Sequence, residues 1–283
     1  NDLKFFKKLF SMPELPEVEV VKNFLKSNFQ KKKIIKVKII NKNLRFEIQS
    51  IIKTKLTNLI ITKIYRRGKY LILLLENNLS LMIHLGMSGY FRMTNEENRK
   101  KHDHLIFYFC SKVLIFNDVR KFGFIKLYNF EELNDSKHLK DMGPEPFSDG
   151  FNLNYFTKKI KRKCSVKNLL MNQKFVAGLG NIYCSEILFD AGVNPEKICN
   201  ELSKKQIEKI ILSTRRILEK AINFGGTTIK NFVVNNEKIG YFKNKLKVYG
   251  KENQSCPRCK SLAKIQRIKQ SGRSTFLCTK CQN

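Results

Sequence analysis

Between residues 34 and 128, strand-like segments follow one another with no helical stretch between them. The segments Ile34–Ile40, Leu56–Tyr65, Tyr70–Glu76, Leu79–Leu85, His104–Cys110, Val113–Asn117 and Phe124–Tyr128 are short and rich in Ile, Leu, Phe and Tyr. Turn residues such as Arg67-Gly68 and Asn77-Asn78 separate them. Parallel neighbours would need a long crossover, usually a helix, after each strand. Directly joined strands pair antiparallel, so this region is expected to form a sandwich or a barrel.

The pattern differs on both sides. Val18, Val21, Phe24, Leu25 and Phe29 recur at helical spacing over residues 17–29, and Pro16 suits a first helical turn. Gly143-Pro144-Glu145-Pro146 is a breaker cluster and marks a domain boundary. Beyond it, Asn152–Lys163, Val166–Met171, Tyr183–Asp190 and Ser203–Phe224 read as helices. The last of these carries Ile207, Ile210, Ile211, Ile217, Leu218 and Ile222 on one side and ends at Gly225-Gly226. The expected fold is α+β: a leading helix and antiparallel sandwich over 12–145, a helical domain over 146–250, and a cysteine-bearing finger over 251–283. Residues 1–11 form an extension.

The finger holds the sharpest chemical signal. Cys256-Pro-Arg-Cys259, then 18 residues, then Cys278-Thr-Lys-Cys281 supplies four thiolates in two equal knuckles. That set suits one tetrahedral zinc ion, fully ligated and therefore structural. A redox or disulfide role is the alternative. Lys264, Arg267, Lys269 and Arg273 lie between the knuckles, as on a hairpin that touches a polyanion. The other cysteines, Cys110, Cys164, Cys184 and Cys199, are scattered, which fits a reducing cytosol.

Charge points the same way. Lys and Arg total 55 against 24 Asp and Glu, a formal +31, which favours a partner whose phosphates release counterions on binding. An AT-rich genome would also produce this bias, since 43 of the 55 are Lys. No apolar run is long enough to span a bilayer, and residues 1–10 make a poor signal peptide.

Met12-Pro13-Glu14-Leu15-Pro16-Glu17-Val18-Glu19 is the most specific string. It closely resembles the start of the bacterial formamidopyrimidine-DNA glycosylase family. The resemblance runs in order to the C-terminus through Arg66-Arg67-Gly68-Lys69-Tyr70, His84-Leu85-Gly86-Met87-Ser88-Gly89, Lys101-His102-Asp103-His104, Gly143-Pro144-Glu145-Pro146, Gly178-Leu179-Gly180-Asn181-Ile182-Tyr183, Gly225-Gly226-Thr227-Thr228 and Gly240-Tyr241-Phe242. Leu15 favours this family over the related endonuclease VIII branch.

The resemblance implies a glycosylase that removes 8-oxoguanine and formamidopyrimidines and then nicks the abasic strand by β,δ-elimination. A terminal proline is a secondary amine that can attack C1′ of the damaged nucleotide and form an iminium. Pro13 would be that nucleophile, Glu14 the proton donor and acceptor, Lys69 the proton donor for elimination, and Arg273 the support for δ-elimination. Pro13 requires a free nitrogen, so residues 1–11 are expected to be an artefact of the assigned start or to be removed. Met87, Arg120 and Phe122 would fill the gap left by the flipped base. His102, Arg162 and Asn181 would grip phosphates. Glu17, Lys167, Glu186 and Tyr241 are expected around the lesion, with Asn235–Tyr249 as a closing loop. The segment Gly178–Asn181 would be the turn of a helix–two-turn–helix. In Asp118-Val119-Arg120-Lys121-Phe122-Gly123, Val119 and Lys121 depart from the family's usual Pro-Arg-Arg. The partner is double-stranded DNA carrying an oxidised purine or an abasic site. Neither a membrane nor an obligate protein partner is expected, and the location is a bacterial-type cytosol. Taken alone, each motif has a plainer alternative: an ordinary helix start at Pro13-Glu14, a solvated hairpin lysine, core packing for Met87 and Phe122. Other classes remain: an oxidised-pyrimidine glycosylase, or a DNA-binding protein that has lost catalysis.

Overall fold

The computed structural model describes residues 12–160, 163–227 and 241–283. Helix α1 (Leu15–Phe29) opens the described chain. It is followed by β1 (Lys36–Ile39), the short α2 (Ile52–Leu56), β2 (Ile61–Arg67), β3 (Tyr70–Leu75), β4 (Leu79–His84), β5 (Gly89–Thr94), β6 (Asp103–Tyr108), β7 (Val113–Asp118) and β8 (Phe124–Asn129). All strand pairs are antiparallel. They form two four-stranded sheets in the orders β1-β6-β7-β5 and β2-β3-β4-β8. Inward-facing Leu71, Leu73, Leu81, Ile83, Phe91, Leu105, Phe107 and Phe116 fill the space between the sheets. The sandwich expected from directly joined strands is therefore present.

Two segments differ from the sequence reading. Leu56 belongs to α2 rather than to a strand, because Ile52 and Leu56 bury one turn apart on the same helical face, and β2 begins only at Ile61. Strand β5 was not anticipated. Its Arg92 is buried, paired with Asp103 on β6, which disguises the alternation of a half-buried strand.

After the short α3 (Phe130–Leu133), the helical lobe comprises α4 (Leu153–Lys159), α5 (Val166–Met171), α6 (Asn181–Ala191) and α7 (Lys204–Asn223). Helix α7 starts with a capping box. Ser203 Oγ accepts from the Gln206 amide at 3.2 Å, and Gln206 Oε1 accepts from the Ser203 amide at 3.1 Å. Its apolar side packs on α6 around Ile187, Leu188, Ile210 and Leu218. Helix α1 serves both lobes: Val18, Val21, Leu25 and Phe29 join the sandwich core, while Leu15 joins the helical core.

Strands β9 (Ser255–Cys256), β10 (Lys260–Lys264), β11 (Gln266–Gln270) and β12 (Arg273–Leu277) make the finger as two small antiparallel pairs. Phe189 of α6 packs against Val248, Ile265 and Phe276, which seats the finger on the helical lobe. Among the described residues no helix is long and apolar enough to cross a membrane.

Candidate active site and nucleic-acid interface

The start of α1 lies where the two lobes meet. Its first backbone donors find partners. The Glu14 amide donates to Glu17 Oε2 at 2.9 Å, the Leu15 amide to Gly178 O at 3.0 Å, and Pro16 has no donor. Pro13 is half-buried immediately before this turn.

Glu14 is buried. Its carboxylate crosses to the other lobe and accepts from the Ile182 amide at 2.9 Å and the Tyr183 amide at 3.4 Å, at the N-terminus of α6. Gly180 makes this possible: a Cβ there would lie 2.5 Å from the Glu14 carboxyl carbon. Burial pushes the Glu14 carboxyl up to about 7, against the opposing pull of the Lys69 ammonium and the α6 amides. A carboxyl with this proton affinity exchanges protons at neutral pH, which general acid–base work requires.

Glu17 is buried one turn on. Its Oε1 accepts from Tyr183 Oη at 2.7 Å, from the Thr227 amide at 2.8 Å and from Thr227 Oγ1 at 3.0 Å. It therefore ties α1 to the end of the Gly225-Gly226-Thr227 turn. Tyr241 is exposed at the start of a 3-10 turn, Tyr241–Lys245, and the adjacent Phe242 is buried and stacked on Tyr183 at 6.0 Å.

Lys69 is buried in the β2–β3 turn, where Gly68 has φ +56°. An ion-pair network fastens the turn. Glu145 accepts from the Gly68 amide at 2.7 Å and forms an ion pair with Arg66 Nη1 at 2.7 Å, and Arg66 Nε pairs with Glu19 at 2.7 Å. The Gly-Pro-Glu-Pro segment, read in sequence as a boundary, thus clamps the lysine-bearing turn.

Met87, Arg120 and Phe122 come together on adjoining loops. The loop at Gly86 presses on the Phe122–Gly123 backbone, where an added Cβ would lie 2.3 Å from the Gly123 nitrogen. Fully buried Asp118 organises both loops. It accepts from Ser88 Oγ, from the Arg120 amide at 3.2 Å and from the Gly123 amide at 2.8 Å. Arg120 and Phe122 stand exposed, with the guanidinium 4.8 Å from the ring centroid. Single exposed apolar side chains are common, but this Phe sits beside an arginine on a fastened loop. Met87 is half-buried beside them. His102 adopts φ +71° in the turn before β6, and its carbonyl accepts from the Asp118 amide at 3.1 Å. That places it next to the same loop.

Lys167 is buried, and its ammonium donates to Asn181 Oδ1 at 2.6 Å, Thr275 Oγ1 at 2.7 Å and Ser274 O at 3.3 Å. Asn181 Nδ2 also donates to Ser274 O at 2.9 Å. The pair couples α5 and α6 to β12, whose first residue, Arg273, is exposed. Burial lowers the Lys167 ammonium to about 8. Glu186, grouped in sequence with the lesion, binds the end of the expected closing loop. It is buried, and its oxygens accept from the amides of Lys247, Val248 and Tyr249 at 2.8–2.9 Å. That carboxylate holds the approach to the finger. Arg162 and residues 235–240 of the expected closing loop lie outside the described residues.

The four finger cysteines converge, with all Sγ atoms within 4.8 Å of one another. Two Sγ–Sγ edges, Cys256–Cys281 at 3.8 Å and Cys259–Cys278 at 3.7 Å, match the ~3.8 Å edge of a tetrahedron with metal–sulfur bonds of about 2.3 Å. The cluster can hold one metal ion.

Sequence reasoning gave no role to Tyr183, Thr227, Asp118 and Glu145, and placed Gly180 only in the helix–two-turn–helix turn. Gly180, Tyr183, Thr227 and Glu145 lie inside motifs quoted above, and Asp118 opens the Arg120 loop. Their positions in those strings were the available signal, but their contacts are made across lobes or between loops.

A sandwich and a helical lobe that share a buried carboxylate beside a prolyl helix start, with an exposed arginine and phenylalanine on a fastened loop of one lobe and a cysteine finger on the other, define the helix–two-turn–helix class of DNA glycosylases. The sequence profile of the formamidopyrimidine-DNA glycosylase N-terminal domain matches residues 12–125, and that of the same family's H2TH domain matches residues 142–233. The chain belongs to the formamidopyrimidine-DNA glycosylase family. It is 46% identical over 275 residues to the formamidopyrimidine-DNA glycosylase of Rickettsia conorii, covering 96% of this chain and 99% of the relative. That of Rickettsia africae is 45% identical over the same length and coverage. Among solved structures, a complex of the Lactococcus lactis protein with abasic-site DNA is similar at TM-score 0.88 and 38% identity, covering 95% of this chain and 99% of that one. A complex of the wild-type Lactococcus lactis protein with N7-benzyl-Fapy-dG DNA has TM-score 0.88, 39% identity and coverages of 96% and 100%.

Proposed function

We propose that this chain is a base-excision glycosylase that removes oxidised purines from double-stranded DNA and then cleaves the abasic strand. The observation that carries this reading is the start of α1: Pro13 precedes a buried Glu14 whose proton affinity lies near neutrality, and a lysine contributes charge to the same site. The relatives solved with abasic-site and Fapy-dG DNA support the substrate class.

With its nitrogen free, Pro13 attacks C1′ of the flipped nucleotide and the base leaves with a proton. Opening of the sugar gives an iminium on the proline nitrogen, an electron sink for loss of the C2′ proton and departure of the 3′ phosphate. Glu14 supplies and takes up protons at the sugar. Lys69 donates during elimination and faces the phosphate, and Arg273 grips the strand from the finger for the second elimination. The +0.5 charge equivalent at the start of α1 disfavours protonation of the proline amine, which keeps its lone pair available (about 0.3–1 kcal/mol at such sites). Met87 and Phe122 occupy the gap in the stack, Arg120 faces the orphaned base, and His102 and Arg162 bind the backbone. The fit of the cysteine cluster supports zinc as the bound metal, with a structural role. The protein acts in a bacterial-type cytosol.

The test uses protein that begins at Pro13. Incubation with an abasic-site duplex and borohydride is expected to trap a covalent adduct, and Pro13→Gly is expected to be badly impaired in base excision. Absence of the adduct overturns the proposed nucleophile. Faster excision of thymine glycol than of 8-oxoguanine opposite cytosine overturns the purine specificity.

A further inference from the structure

Two cysteines outside the finger face each other at the entrances of two helices. Cys164 lies just before α5, and Cys199 lies in the 3-10 turn Cys199–Glu201 before α7. Their sulfur atoms are 3.8 Å apart. The backbone sets this distance. Ser165 and Ile198 form an antiparallel bridge, the Cys199 amide donates to the Cys164 carbonyl at 3.0 Å, and the Val166 amide donates to the Lys197 carbonyl at 2.9 Å. This pattern places Cys164 directly opposite Cys199 at a hydrogen-bonded position, where Cα atoms stand about 5.5 Å apart. A disulfide accepts Cα separations of roughly 4.4–6.8 Å, so closure needs side-chain rotation and little backbone movement.

We propose that Cys164 and Cys199 are an oxidisable dithiol that closes to an intramolecular disulfide when the protein meets a peroxide. Cys164 is partly exposed and Cys199 is fully buried, so the oxidant reaches Cys164 first. Burial, and then the neighbouring sulfur, push the Cys199 thiol up to about 12, so it stays protonated beside Cys164. The Cys164 sulfur attacks one peroxide oxygen, the O–O bond breaks and one water leaves, giving a sulfenic acid. The Cys199 sulfur then displaces the hydroxyl from that sulfur, its proton leaves with the oxygen as a second water, and the S–S bond forms. One peroxide is reduced and two thiols are oxidised.

The position gives the bond a consequence. Ser165, beside Cys164, immediately precedes α5 and its hydroxyl accepts from Gln270 of the finger at 2.8 Å, and Asn168 donates to Ser271 at the finger's hairpin tip at 2.8 Å. A disulfide here would staple the α5 entrance, which carries these finger contacts, to the α7 entrance. An enzyme acting on oxidised DNA would keep that junction closed under the conditions that create its substrate.

The experiment treats full-length, metal-loaded protein with a small excess of hydrogen peroxide, alkylates the remaining thiols, and maps peptides by mass. The expected product is a Cys164–Cys199 cross-linked peptide pair, absent from Cys164→Ser and Cys199→Ser and reversed by dithiothreitol. Oxidised wild-type protein is expected to melt several degrees higher than reduced protein, and neither Ser variant is expected to show that shift. Over-oxidation or adducts on Cys164 with Cys199 still alkylated overturn the proposal. So does a peptide map in which the only disulfides join finger cysteines.

Discussion

Replacing Glu14 with Gln should stabilise the protein at alkaline pH while disabling it. The carboxyl is held at about 7 in the folded chain against an ordinary value of 4.5. A group raised in this way favours the folded state below pH 4.5, and that advantage is lost as pH climbs through 7. Each tenfold rise in proton affinity is worth about 1.4 kcal/mol, so the ionised folded form is penalised by ~3 kcal/mol at pH 8 and by under ~1 kcal/mol at pH 5. Gln has the same shape and no charge, and its carbonyl oxygen still accepts from the Ile182 amide. Its NH2 group then faces the Tyr183 amide, which offsets part of the gain. The variant is therefore expected to gain roughly 1–3 kcal/mol over wild type at pH 8 and to lose most of that gain at pH 5. Urea unfolding of both proteins, beginning at the same residue and loaded with the same metal, measures the difference, and effects of the finger thiols cancel between them. Excision should fall by about 10²–10⁴ in the same variant. A stability difference that is unchanged between the two pH values, or a variant less stable at pH 8, would refute the burial argument.

Gly180→Ala probes the same carboxyl from the other side. Gly180 has φ −143°, so alanine meets no backbone strain there, and the whole effect is collision with Glu14. A loss of about 1–3 kcal/mol and an excision rate about 10²-fold lower are expected; a wild-type rate in single-turnover assays would contradict the assigned geometry. Cys278→Ala should lose the bound metal and most affinity for abasic-analogue DNA while the sandwich keeps its circular-dichroism signature, and undiminished DNA affinity in metal-free protein would sink the finger's role.

The sandwich was legible because direct joins between Ile- and Leu-rich runs leave no room for crossovers. The finger was legible because metal ligation fixes cysteine spacing locally. Arg92 shows where this legibility stops. Its burial depends on Asp103, a residue on another strand, and a charged side chain in a half-buried pattern reads as a loop. The candidate site divides in the same way. Pro13, Glu14 and Lys69 stood out through motif position. The proton affinity of Glu14 did not, because it arises from burial against the opposite lobe, where the absence of a side chain at 180 admits the carboxyl and the amides of residues 182 and 183 pull the other way. The contacts of Glu186 were not legible either, because a carboxylate on a helix after a glycine turn gives no hint that three amides from residues 247–249 will occupy it.

The helix start that Glu14 caps belongs to the opposite lobe, and the α1 donor at Leu15 is satisfied by a carbonyl from that same lobe. Neither half of the chain is thus a free-standing cassette. Exchanging one lobe for that of a distant relative would strand a buried carboxylate on one side and naked amides on the other. Recombination among such enzymes should respect the pairing of residues 13–15 with 178–183 more strictly than the apparent linker at 143–146.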